Sequence, residues 1–429
     1  MSETIIIAGA GAAGLMAARD LSLKGYKVIV LEAANRIGGR MHTLLNEGFS
    51  KPVEAGAEFV HGKLPITLQL LKQAGIVYKP IGGKTYHIEK GELERQNNAT
   101  IGWNELSKQM EALKDDITIA EFLAQYFSDD KYEELRESVK RFAEGFDLAD
   151  INKVSVFALR DEWMNEEGEQ YRIEGGYIKL VDHLVSQCAS AGCVIHTSTQ
   201  ITSITHNNEG VNVTVKNGQT FKGDKIIVTV PLGILQLPQE HPSYLHFNPA
   251  IPEYIEAAKQ IGFGSVVKIL LEFKEPFWSD LAKNIGFAFG EEKVPTWWTQ
   301  SPDNFPLLTG WLGGGDESRF KNVSKQELFD HSLISLSNMF NKPIDELKDL
   351  LQAWHISNWK DEPHIEGAYS YDMVESKKAR QLLIKPINNS VFFAGEGLYE
   401  GHAPGTVEAA LSTGKDVAKL IMSNRVVRL

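Results

Sequence analysis

The sequence predicts an α/β protein of two domains. One is built on a parallel, nucleotide-binding sheet; the second is α+β, a mixed sheet flanked by helices. Three observations carry this. The N-terminal stretch "TIIIAGAGAAGLMAARDLSLKGYKVIVLE" reads as strand, glycine turn, helix and a second strand ending on an acid. Helical periodicity from about 85 to 170 gives way to strand alternation between 193 and 230. A buried strand ending in a glycine and an acid then returns in "SVFFAGE" at 390–396, before a last helix from about Val407 to Met422.

The first element is a Rossmann-like fingerprint. Gly9, Gly11 and Gly14 form G-x-G-x-x-G between a strand and a helix. The first glycine allows a tight turn, the second lets a pyrophosphate approach the backbone, and the third lets helix pack on strand. The helix N-terminus then presents its positive end to the phosphates. Glu32, 18 residues past Gly14, ends the second strand where an acid accepts from a ribose hydroxyl. The fingerprint alone does not separate NAD from FAD. "NRIGGRMHT" does, because Gly38 and Gly39 let backbone pass close to a ligand while Arg36 and Arg40 can neutralise a pyrophosphate. A nicotinamide enzyme would proceed to another βα unit instead.

The middle region is helical: "KYEELRESVKRFAEGF" sets Tyr132, Leu135, Val139, Phe142 and Phe146 on one face. A helix over 177–191 carries Cys188 on its apolar side, where packing is its expected role. Strands follow in "CVIHT", "ITSITHN", "VNVTVKNGQTF" and "KIIVTVP", with a hairpin at Asn217-Gly218. Five prolines between 231 and 252 mark a crossing between domains. The expected division is a nucleotide-binding domain from 1–84, 171–240 and 386–429, and a second domain from 85–170 and 241–385.

One strand poses a question. In "GFGSVVKILLEF", Val267, Ile269, Leu271 and Phe273 share one face, while Val266, Lys268, Leu270 and Glu272 share the other. Lys268 is therefore either a gatekeeper on an exposed edge strand or a cation aimed at something that needs it.

Composition narrows the classes. The 429 residues are 43% hydrophobic, enough for large cores, and carry a net charge of −12 with no basic stripe, which argues against nucleic acid. Two cysteines cannot make a disulfide framework, and no cluster of Cys and His has metal-binding spacing. No uncharged run reaches the ~18 residues of a membrane span, and Glu3 with the glycines sets the apolar N-terminus apart from a signal sequence. A cytoplasmic protein without a membrane partner is expected.

"LEAANRIGGRMHT" followed by "EAGAEFVHG" resembles the flavin-dependent amine oxidases: monoamine oxidases, polyamine oxidases and histone-lysine demethylases. The similarity continues through "IEGGYIKLVDHL", "VTVPLGIL", "GFGSVVKILLEF", "NW…EGAYSYD" and "FFAGEGLYEGHAPGTVEAALSTG", in the family's order. "GAEFVHG" is most similar to the polyamine oxidase version. The resemblance implies FAD, a small-molecule amine oxidised to an imine that hydrolyses to a carbonyl, and O₂ as acceptor giving hydrogen peroxide.

It implies roles for single residues as well. Lys268 matches the family's lysine that reaches flavin N5 through a water. Trp359 and Tyr369 match its aromatic wall, and His61 and Glu58 lie next to the flavin-facing segment, His61 as a candidate substrate contact, Glu58 as a cofactor contact, and either one able to hold or deprotonate the amine if it faces the cavity. Glu396 falls where the family binds the pyrophosphate-ribityl region, Ile201 at the adenine side, and the Thr406–Val407 backbone at the pyrimidine carbonyl. Ala13, Ala33, Gly56, Ala57, Phe59 and Gly395 carry over as further cofactor contacts. Thr406 is a departure, since the family's second substrate-flanking aromatic falls there; a small arylalkyl amine clamped between two rings is disfavoured. The cysteine that binds flavin covalently in monoamine oxidases is here Ala368, so FAD is expected to be non-covalent. Two other readings stand beside this one: a flavin desaturase or protoporphyrinogen-oxidase-like enzyme, and a flavin-bound interaction protein with vestigial activity.

Overall fold

The computed structural model describes residues 3–95, 102–165, 168–314 and 323–426. The expected segments 1–84, 85–170, 241–385 and 386–429 each include a few residues outside these. Strand β1 (Thr4–Ala8), helix α1 (Ala12–Ser22) and strand β2 (Lys27–Leu31) form the predicted βαβ unit. A five-stranded parallel sheet runs Val194–His196, β2, β1, Lys225–Val228, Val391–Phe393. Three separate stretches of chain therefore meet in one sheet. Its strands are apolar on both faces because both are covered. On one side α1 packs with the helices Ile178–Ser190 and Val407–Val426; on the other lie Val211, Val213 and Val215 from a four-stranded sheet.

The second unit is a seven-stranded mixed sheet, ordered Leu351–Asn358, Val266–Phe273, Leu307–Gly313, Thr296–Trp298, Ile285–Phe289, Lys84–Glu89, Glu92–Arg95. The helix Lys325–Phe340 covers one face. This is the expected α/β architecture with an α+β partner. The helices between Trp103 and Asn165 form a core of their own around Phe122, Leu135 and Val139.

Three details depart from the expectations. The region after 84 begins with a hairpin, Lys84–Glu89 with Glu92–Arg95, before its helices. The proline-rich stretch does not carry the crossing: His246–Asn248 still pairs in the four-stranded sheet, and Tyr254, Ala257 and Ala258 pack on the nucleotide side. The prolines serve as turns and as the first residue of the helix Pro252–Lys259. On the helix Glu133–Gly145 the buried face is Leu135, Val139 and Ala143; Phe142 and Phe146 overhang a cavity instead.

The strand Val266–Phe273 is buried along its whole length and hydrogen-bonded on both sides. It is not an edge, and the gatekeeper reading of Lys268 falls. Val267, Ile269, Leu271 and Phe273 enter the core beneath the sheet. On the opposite face Leu270 packs on Leu44, Val53 and Ala55, and Val266 on Trp359 and Ala368. The two-residue period thus sends Lys268 between those clusters, toward the nucleotide side.

Candidate active site

One cavity of about 2270 Å³ runs from the glycine turn, past Lys268, to the helical region. Its size exceeds the ~300–1,000 Å³ of a site for one drug-sized ligand; a dinucleotide and a substrate fit together. Every residue expected at the site lines it except Gly14.

Gly14 is a packing position: a Cβ there would lie 2.1 Å from the Gly9 carbonyl oxygen. Gly9 has φ +107°, open to glycine and strained for other residues. Above Gly11 a Cβ meets nothing within 4 Å. Gly11 is also the N-cap of α1, and no side chain caps that end. Glu32 closes the turn, accepting from the Ala10 N–H at 2.7 Å and the Ala34 N–H at 2.8 Å. Open space over a backbone cradle, an uncapped helix start and a buried acid are what an adenosine pyrophosphate requires. The chain fits the cofactor.

Ala13 and Ala33 line this end of the cavity, as does Ile201 at the start of its strand. Gly38 (φ +110°) and Gly39 (φ +58°) bring a second loop against the turn, and a Cβ on Gly39 would lie 3.3 Å from Gly11 Cα. Arg36 donates to the Gly39 carbonyl. Arg40 donates to Glu396 at 2.8 Å and to the Ala368 carbonyl at 2.6 Å. Ser370 donates to the other Glu396 oxygen at 2.6 Å. Glu396 and Arg40 therefore tie the nucleotide sheet to the aromatic wall. Thr413 braces Gly395. Thr406 caps the last helix, accepting from the Ala409 N–H at 3.2 Å, with Val407 opening that helix.

Trp359 is buried and donates to the Ala55 carbonyl at 3.1 Å. Gly56 has no side chain because its Cβ would lie 2.0 Å from the Arg40 carbonyl oxygen and 3.1 Å from the Trp359 ring. The Tyr369 hydroxyl donates to the Phe146 carbonyl, and Trp311 donates to Gly145 at 2.8 Å, so both rings are pinned to the end of one helix. Ala57 and Phe59 line the cavity, the Arg172 guanidinium lying 4.8 Å over the Phe59 ring.

Lys268 is 1% exposed. Its Nζ donates to Glu58 Oε2 at 2.8 Å and to the Gly56 carbonyl at 3.0 Å. Glu58, expected beside the cofactor as a group that holds or deprotonates an amine, is committed elsewhere. Its Oε1 accepts from Arg172 at 2.8 Å, Trp298 at 3.1 Å and Gln300 at 3.3 Å. Burial alone would raise this carboxyl, but the Lys268 and Arg172 charges hold it down at about 2. It is no base at neutral pH. Burial also pushes His61 down to about 4, leaving a neutral imidazole facing the cavity. Arg172, Trp298 and Gln300 escaped sequence reasoning. A cation in a four-residue strand ("QYRI") and polar tips in "TWWTQ" carried the only signal.

Cys188 and Cys193 are buried against α1, and neither lines the cavity. Ala368 sits at the wall with no sulfur to offer. Acid precipitation of the holoprotein is expected to give a white pellet and a yellow supernatant; a yellow pellet would show a covalent bond.

Among the described residues no group of His, Cys, Asp and Glu is placed to hold a metal, and no helix is long and apolar enough to cross a membrane.

The profile of the family described as flavin containing amine oxidoreductase matches residues 12–422. Polyamine oxidase 2 of Arabidopsis thaliana is 26% identical, over 96% of this chain and 86% of its own length. Lysine-specific histone demethylase 1 homolog 3 of the same plant is also 26% identical, but the chain spans 29% of that protein's length. A putrescine oxidase solved with putrescine bound superposes with a TM-score of 0.80 at 18% identity, over 99% of both chains. With the glycine cradle, the lysine strand and the aromatic wall in one cavity, the chain belongs to the flavin-containing amine oxidoreductases.

Proposed function

We propose that this protein oxidises a primary or secondary alkylamine, of the polyamine kind, at a carbon next to nitrogen. The imine product hydrolyses to a carbonyl, and O₂ is the final acceptor, leaving as hydrogen peroxide. The single observation that carries this reading is the continuity of one cavity from the FAD cradle, past Lys268 and Tyr369, into a chamber with Trp103, Phe142 and Trp163 beside Glu144, Asp147 and Glu162. Aromatic faces and carboxylates suit an alkylammonium chain. The names of the polyamine and putrescine oxidases to which the chain is similar point the same way.

FAD, when bound, supplies the two-electron acceptor at its ring nitrogen. Gly11, Glu32, Arg36 and Arg40 would hold its adenosine and phosphates, with Thr406 and Val407 at the far end of the ring system. Trp359 and Tyr369 orient the amine and exclude water from the reacting carbon. Lys268 supplies a fixed positive charge where negative charge builds up during reoxidation.

The amine arrives as a cation and reacts as the neutral base, because only the free lone pair stabilises the developing iminium. Desolvation among aromatic rings favours proton loss. His61 and Glu58 do not titrate between pH 6 and 10. Anaerobic mixing with a panel of amines tests the reading: one class should bleach the flavin band. At saturating amine the bleaching rate should rise through one ionisation below the free amine's pKa, and that break should move with the amine chosen. A flat profile, or bleaching by a quaternary ammonium analogue, contradicts the proposal.

A further inference from the structure

We infer that Glu408 sets the reduction potential of the flavin: one buried carboxylate joins two helix N-termini beside the ring end of the cradle and opposes negative charge there. Glu408 lies in the first turn of the last helix, Val407–Val426, directly after the Thr406–Val407 backbone. It is 2% exposed and lines the cavity together with Thr406, Val407 and His61.

The hydrogen bonds it accepts come from a different helix. Pro65–Ala74 opens on a proline, and its N-cap, Leu64, has no acceptor to offer the free N–H groups of the first turn. Glu408 takes over that task across 342 and 341 residues of chain. Its Oε1 accepts from the Ile66 N–H at 2.9 Å, and its Oε2 accepts from the Thr67 N–H and the Thr67 hydroxyl, both at 2.7 Å. The loop after His61 is thereby tied to the turn at Thr406.

Capping by itself needs only an acceptor, and a neutral side chain serves. A carboxylate adds charge. All three donors are uncharged, so these bonds leave that charge in place. Tyr399, which also lines the cavity, is held above the usual phenol range by burial and next by Glu408. Each helix start is the positive end of a dipole, and each would stabilise an anion nearby. Glu408 offsets both. Thr406 and Val407 meet the far end of the ring system in the reading above, on which this inference rests. Reduction by two electrons and one proton adds one negative charge to that ring system. A fixed anion beside it makes reduction harder and the return of electrons to O₂ easier. Lys268, in the same cavity, acts in the opposite sense.

The midpoint potential at pH 7, read by slow anaerobic reduction against a reference dye, tests this without any amine. A failure of the amine chemistry leaves the measurement intact. Glu408→Gln keeps the shape and removes the charge. Its reduction equilibrium should move about tenfold toward the reduced flavin, ~30 mV upward for two electrons. Thr67→Val keeps the charge and removes one donor. Both FAD-free variants should melt below the parent, since each breaks part of the cap. Only Glu408→Gln should move the potential; an equal shift in Thr67→Val would be a packing effect and would refute the inference.

Lys268→Met should move the potential downward and controls for where the ring lies. If it does so while Glu408→Gln keeps the parent's potential, the inference falls and the cradle stands. If neither variant shifts it, both fall. Should Glu408→Gln not retain FAD, Glu408→Asp decides, because the shorter carboxylate gives up contact but keeps its charge. A lower melt with the parent's potential supports the inference. A raised potential, or loss of FAD here as well, overturns it.

Discussion

Lys268→Met is expected to fold, bind FAD and turn yellow, yet reoxidise about 10²–10³ more slowly in O₂ than the parent. Methionine replaces the lysine stem at similar volume, so the packing between Leu270 and Val266 changes little. Removing one partner of a buried ion pair is usually severe, at ~3–5 kcal/mol, because a lone charge is left behind. Here Glu58 keeps Arg172, Trp298 and Gln300. Glu58 Oε2 and the Gly56 carbonyl lose their donor, a cost of ~1–3 kcal/mol each. Fold and chemistry should therefore separate in this variant. Stopped-flow reoxidation of the pre-reduced protein measures the second, and a thermal melt of the same sample the first. A rate equal to the parent's would make Lys268 a structural residue.

The second large effect concerns two glycines three residues apart that should fail for opposite reasons. Gly14→Ala sets a Cβ 2.1 Å from the Gly9 carbonyl oxygen, and backbone must move by nearly an ångström to clear it. Overpacking of this kind costs ~1–3 kcal/mol. The FAD-free protein should melt lower, and FAD should be lost with the displaced turn. Gly11→Ala sets its Cβ in space that no protein atom occupies, at a backbone φ of −80° that alanine accepts. The FAD-free protein should melt where the parent does. FAD affinity should nevertheless fall by about 10- to 100-fold, as it would for ~1–3 kcal/mol of clash with the pyrophosphate. Melting of the apoproteins and fluorescence titration with FAD distinguish the two. Equal FAD affinity in Gly11→Ala and the parent would place the pyrophosphate elsewhere.

How far the sequence could be read depended on the range of the interaction. The glycine turn, α1 and Glu32 were legible because the whole unit lies within the first 32 residues. The hairpin at Asn217-Gly218 was legible for the same reason, its turn chemistry and its strands being adjacent. The alternation in "VVKILLEF" decided by itself that Lys268 leaves the apolar core on the face it shares with Leu270 and Val266. It could not say what lies over that face.

Only the tertiary structure decided that. Glu58 and Lys268 are 210 residues apart, and Arg172 reaches Glu58 across 114. No periodicity links residues on three elements that meet only because the two sheets close over one cavity. The same holds for Phe142 and Phe146, which share a helical stripe with Leu135 and Val139, yet the stripe outruns the core it serves. Local pattern determines which way a side chain points, since it follows from backbone geometry. Whether it meets a core, a partner charge or an open cavity depends on distant chain, and there burial turned Glu58 from an expected ligand of cofactor or amine into the partner of Lys268.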